Sequence, residues 1–101
     1  MSADKIIVHI DVDLEEIVPG FLQNKKKDII TMQNAILSQD FETIEVLGHR
    51  MKGAGGGYGF DEISRIGADI EKAASQKKQE KIQLLLQELE QYLSCVEVIY
   101  E

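Results

Sequence analysis

Cysteine is almost missing: Cys95 is the one thiol among 101 residues, so an internal disulfide is excluded, and with it the cross-linked scaffold of small secreted domains. Proline is equally scarce. Pro19 stands alone, which leaves long stretches free of the residue that breaks helices. No apolar run approaches the roughly 18 residues of a membrane span. Positive charge is also short, with eleven Lys and Arg against eighteen Asp and Glu and a net charge of −7. Such a surface repels nucleic acid and anionic membranes, so neither is expected as a partner. The opening Met1-Ser2-Ala3-Asp4 lacks the basic and apolar regions of a secretory signal. The expected location is the cytoplasm. At this length, with 44% hydrophobic residues, the chain can bury one core, and residues 1–101 read as one domain.

What is present is helical periodicity. The segment Ile6–Val12 is β-branched, but it has no evident strand partner, so residues 1–13 read as an extended arm and 14–101 as a helical bundle. A short helix is expected from Leu14 with Asp13 as its cap, followed by a break at Pro19. A longer helix then runs from Phe21 or Leu22 to about Ser38, on the spacing of Leu22, Ile29, Met32 and Ile36. Asp40 caps the next, whose stripe is Ile44, Leu47, Met51, Ala54 and Tyr58 and which Gly59 can end. Ile63, Ile66, Ile70 and Ala74 form a further stripe after the acidic pair Asp61-Glu62. Ile82, Leu85, Leu86, Leu89, Leu93 and Val96 form the last. Four substantial helices with short links predict an all-α, up-down-up-down four-helix bundle with a short N-terminal arm and helix.

The chemistry concentrates in His49-Arg50-Met51-Lys52-Gly53-Ala54-Gly55-Gly56-Gly57-Tyr58-Gly59. At about 100° per residue, His49 falls roughly 170° from the centre of its helix's apolar stripe, so the imidazole points out of the core. Glu45, Lys52, Gly53 and Gly56 lie at i−4, i+3, i+4 and i+7, on the same face. Glycine in a helix interior costs about 1 kcal/mol relative to alanine, and four of them between 53 and 57 call for a reason. Gly53 and Gly56 would let another protein approach the ring; Gly48 and Gly55, nearer the core, would let a neighbouring helix pack closely. The plainer alternatives are an exposed histidine without a role and a fraying helix end. Neutral imidazole is nucleophilic near pH 7 and can carry a phosphoryl group, whose charge Lys52 can steady. Nothing for phosphoryl transfer from ATP accompanies it: there is no Gly-x-x-x-x-Gly-Lys-Ser/Thr loop and no obvious set of acids for magnesium.

His49, Lys52, Gly53, Ala54, Gly56 and Gly59 fit the pattern His-x-x-Lys-Gly-Ala/Ser-x-Gly-x-x-Gly, which resembles the signature of histidine phosphotransfer (HPt) domains. The resemblance covers most of the chain, since that family is a four-helix bundle with the motif on a central helix. It implies that His49 is phosphorylated, usually on Nε2, that Lys52 assists, and that Gly53 permits docking of a receiver domain. It implies a carrier without ATP-dependent kinase activity or cofactor of its own, working with a response-regulator receiver, a histidine kinase or both. The receiver brings the aspartate and the Mg²⁺. Arg50 departs from the smaller or apolar residue usual there and bears on partner preference. With Glu45, Gly53 and Gly56, it completes the expected docking surface.

Other residues carry plainer readings. His9 reads as packing within the arm, Lys25-Lys26-Lys27 as a solvated helix face, and Cys95 as an incidental thiol; Asp61, Glu62 and Glu71 read as solvated acids. No two-histidine helical spacing supports a metal site. Two competing functions stay open at this stage: a helical module that binds a receiver without phosphoryl exchange, and a small dimeric helical protein joined through its last helix.

Overall fold

The computed structural model describes residues 5–101. In chain order it contains strand β1 (Ile6–Ile10), a 3-10 turn at Val12–Leu14, helices α1 (Val18–Leu37), α2 (Phe41–Tyr58), α3 (Asp61–Ser75) and α4 (Gln79–Cys95), and strand β2 (Val96–Tyr100). The helices form the expected bundle, α1 closing on α4. Their apolar stripes meet along its axis, where Met32, Ile44, Met51, Ile63, Ile66, Ile70, Ile82 and Leu89 lose all or nearly all contact with solvent. At the turn between α2 and α3, Phe60 is buried and stacks on Phe21 with ring centroids 5.6 Å apart.

Both ends of the chain depart from the sequence reading. The N-terminal segment does have a strand partner: β1 pairs in parallel with β2, from Ile6 opposite Val96 to Ile10 opposite Tyr100. Parallel strands need a long crossover, and here the whole bundle supplies it. Val96 continues the phase of Leu93, which hides the end of the helix in the sequence; the chain turns extended there because Val96-Glu97-Val98-Ile99-Tyr100 is rich in β-branched residues that alternate faces. Val8, Ile10, Val96, Val98 and Tyr100 pack inward, while Ile7, His9, Glu97 and Ile99 are exposed.

The start of the bundle is corrected as well. Asp11, not Asp13, caps the first turn, its Oδ1 accepting the Asp13 N–H at 2.9 Å. Pro19 does not separate two helices; it lies in the first turn of α1, where its missing N–H has no intrahelical partner to lose. Lys25 is not solvated. It is 5% exposed, its Nζ donates to Asp28 Oδ2 at 2.8 Å, and it stands 5.3 Å from the centre of the Phe21 ring. Lys26 and Lys27 remain on the surface.

The termini of α2 follow the sequence closely. The Asp40 carboxylate accepts both the Thr43 hydroxyl at 2.6 Å and its backbone N–H at 3.2 Å. Those two bonds, the hydroxyl first, hold the Asp40 carboxyl below its ordinary range. At the other end Gly59 takes a left-handed conformation with φ of +89°, and the Phe60 N–H reaches back to the Gly55 carbonyl at 2.7 Å. Glycine is the residue that enters this conformation without a Cβ penalty.

Candidate functional site

The site begins with the contact between α2 and α3, which is made by backbone. A Cβ on Gly48 would stand 2.7 Å from the Glu71 nitrogen, one on Gly67 2.6 Å from the Lys52 nitrogen, and one on Gly55 2.6 Å from the Ser64 nitrogen. No side chain larger than hydrogen fits at those three positions without moving a helix. The Ser64 hydroxyl adds a bond to the Lys52 carbonyl at 2.7 Å. The close seam expected of Gly48 and Gly55 is therefore present, and Gly67 completes it from α3.

This seam puts Glu71, one turn beyond Gly67, beside His49. The His49 side chain is 71% exposed and its Nδ1 lies 2.9 Å from Glu71 Oε2. A carboxylate accepts hydrogen bonds and donates none, so Nδ1 carries the proton and the lone pair of the neutral ring sits on Nε2. Glu71 is thus no solvated acid but the partner that orients the ring. The sequence holds its signal in Gly67-x-x-x-Glu71, since the face of α3 that touches α2 also carries a residue four positions on. Val46, one turn before His49 and exposed, is the other neighbour absent from the sequence reading. Glu45, Val46, His49, Arg50 and Glu71 line a shallow depression of about 270 Å³.

The expected docking residues are laid out along α2. Glu45 is half-buried, and Arg50, Lys52, Gly53 and Gly56 are exposed. A Cβ on Gly53 or Gly57 would meet nothing within 4 Å, and one on Gly56 only the Ser64 hydroxyl at 3.8 Å. Packing inside the molecule therefore gives no reason for these three glycines, in contrast to Gly48 and Gly55. Among the described residues Lys52 and Arg50 join no ion pair. Arg65 on α3 differs: Glu62, Asp69 and Glu88 engage it, and its guanidinium is held still more firmly protonated by Glu62 and Glu88. Of the cations near His49, Arg50 and Lys52 are thus free to meet an incoming anion, whereas Arg65 is not.

One expectation about the other residues changes. His9 does not pack; it faces outward from β1 with Nδ1 3.3 Å from Glu101 Oε2. Cys95 ends α4, half-buried, with its Sγ 3.8 Å from the Ser94 hydroxyl. Among the described residues no three His, Cys, Asp or Glu side chains converge in an arrangement that could hold a metal ion, and no helix is long and apolar enough to cross a membrane.

An exposed imidazole with one nitrogen engaged and the other open, on the second helix of a four-helix bundle, sits within a match to the profile of the Hpt domain family over residues 16–95. The chain belongs to the Hpt domain family. The match runs from just before α1 to the last residue of α4 and leaves both strands outside it. Hpt domains are histidine phosphotransfer modules of phosphorelays, phosphocarriers without intrinsic kinase activity that interact with kinases and receiver domains. No curated protein and no solved structure gives a match.

Proposed function

We propose that this Hpt domain carries a phosphoryl group on Nε2 of His49, taking it from a receiver-domain aspartyl phosphate or from a histidine kinase and passing it to another receiver. The observation that supports this best is the pairing of an open Nε2 with a Glu71-bound Nδ1. In the forward step the Nε2 lone pair forms the N–P bond as the P–O bond of the aspartyl phosphate breaks, and the aspartate leaves as a carboxylate. The Nδ1 proton stays in its bond to Glu71, so no proton need leave the ring during the transfer. Delivery to the next receiver runs the same step in reverse.

The chain's other residues act around that exchange. Lys52 offers its ammonium to the phosphoryl oxygens in flight. Gly53 and Gly56 leave the approach path bare, and Val46, Arg50 and Glu45 meet the partner's surface. Mg²⁺ belongs to the receiver, and its chemistry is charge neutralisation on the transferred group. A phosphocarrier of this kind works in the cytoplasm, where its partners are phosphorylated.

Incubation with radiolabelled, phosphorylated receivers tests the reading. The wild type should take label that is lost in acid and survives in alkali, as a nitrogen-linked phosphate does. A protein that binds a phosphorylated receiver yet never takes label would be a passive binding module instead.

A further inference from the structure

A second surface lies across the bundle from His49. The histidine sits where α2 meets α3, whereas α1 and α4 leave between them two adjoining depressions of about 450 and 290 Å³ that share Gln33 and Glu90 as lining residues. Ile29, Ile36, Leu86 and Leu93 contribute buried apolar surface to them. Beside them Ile30 is 60% exposed and Leu37 84%. The smaller depression is lined mainly by aliphatic side chains and the larger by aliphatic and amide side chains, so Ile30 and Leu37 extend a contiguous apolar patch of the kind that marks a contact surface.

The charges on this strip limit what fits it. Lys26 lines it from α1 and Glu90 from α4, and among the described residues neither joins an ion pair. The remaining polar lining is Gln33, Gln83, Gln87 and Ser94, all uncharged. The strip is thus neutral on a molecule of net charge −7, so two copies of the chain can meet there without opposing like charges. It is also self-complementary: one wall carries the cation and an aliphatic ridge, the other carries the anion, and the groove runs between them. A twofold contact needs such a patch, in which each surface answers its own copy.

We propose that this face joins two copies of the chain about a twofold axis, α1 of each lying along α4 of the other. Ile30 and Leu37 of one copy cover the groove of the second, and Lys26 of one meets Glu90 of the second. Both His49 rings stay on the outer faces, so the contact is independent of phosphoryl transfer.

Sedimentation equilibrium of the full chain from about 1 μM to about 1 mM covers the affinities at which modest interfaces form. The mass should rise from 11.4 kDa towards twice that value as concentration increases. Leu37→Glu should weaken association at least about tenfold. Glu90→Lys should weaken it too, because two lysines would then face each other, and Lys26→Glu added to Glu90→Lys should restore it. All these positions are exposed, so far-ultraviolet circular dichroism should show unchanged helix in every variant. A wild type that stays monomeric throughout overturns the proposal, even if the groove captures some other amphipathic helix. So does a dimer that Leu37→Glu leaves intact, or a charge swap that fails to restore what Glu90→Lys weakens.

Discussion

His49 and His9 present nearly the same local picture. Each ring is mostly exposed, and each rests Nδ1 against a glutamate, at 2.9 Å from Glu71 and 3.3 Å from Glu101. They differ in what lies around them. His49 stands on a helix welded to its neighbour through Gly48, Gly55 and Gly67, so its partner Glu71 is fixed by two rigid backbones. A free lysine and a bare glycine track lie on the same face. His9 stands on a two-stranded ribbon, and Glu101 follows the last strand residue; no glycine track accompanies it, and Lys5, four residues before it in extended chain, is already paired with Glu97 at 3.5 Å. A histidine-glutamate pair is therefore no site by itself. The surroundings decide whether a partner can reach the open nitrogen and whether charge arriving there is stabilised.

The largest test of that contrast removes each ring in turn. His49→Gln keeps a polar side chain of similar reach but cannot form a phosphoramidate, so it should abolish labelling completely, while His9→Gln should leave the rate unchanged. Label that persists in His49→Gln and maps to His9 would erase the distinction.

The glycines sharpen it further, because the two sets should respond in opposite ways. Gly53→Leu places a side chain beside the imidazole in open space, and transfer should fall by on the order of a hundredfold or more, about 3 kcal/mol in the barrier. Leucine is the better helix former, so the melting temperature should hold or rise by several degrees. Gly48→Ala should do the reverse, destabilising the fold by about 1–3 kcal/mol by overpacking, since its methyl group would press on the α3 backbone. A Gly53→Leu protein that melts early, or a Gly48→Ala protein that melts normally, would show the sets to be wrongly divided.

Much of this arrangement is legible before any coordinates. The α2 stripe, the Asp40 cap, the Gly59 terminus and the outward direction of His49 follow from periods and end signals that act within one helix. Glu71 is hidden because its role depends on how α2 and α3 are set against each other, and three glycines rather than any apolar stripe fix that setting. The parallel ribbon is hidden for a related reason. Its strands lie at opposite ends of the chain, and Val96 belongs equally well to the helical stripe before it and to the alternation after it. Lys25 misleads because a run of three lysines looks uniform, whereas a helix turns one of them inward onto Asp28 and Phe21. Local chemistry is readable residue by residue; a contact between elements requires the packing.

Lys52 marks the charge difference between the two histidines. Lys52→Ala removes one ammonium from the path of the phosphoryl oxygens, and loss of one such contact typically slows a step by about ten- to a thousandfold. Transfer should slow within that range without vanishing, and binding to an unphosphorylated receiver should change less. An unchanged transfer rate would leave Lys52 as surface charge.

The smallest expected effect isolates the histidine-glutamate pair itself. If Glu71 holds the proton on Nδ1, then Glu71→Ala frees the ring to rotate and to populate the other tautomer, in which Nε2 carries the proton and offers no lone pair. Because His49 is open to water, solvent replaces part of the lost bond, and the transfer rate should fall only about tenfold, close to 1.4 kcal/mol. Glu71→Gln should lose less than Glu71→Ala, since an amide oxygen still accepts from Nδ1 although the charge is gone. Glu101→Ala should change nothing at His49. Nitrogen-15 spectra of the rings read the cause directly: in Glu71→Ala the His49 signals should shift from the Nδ1-protonated pattern towards the mixed pattern of a free imidazole, with His9 unmoved. A tautomer balance that ignores Glu71 while transfer still slows would mean that the carboxylate acts through its charge on the partner and not through the orientation of the ring.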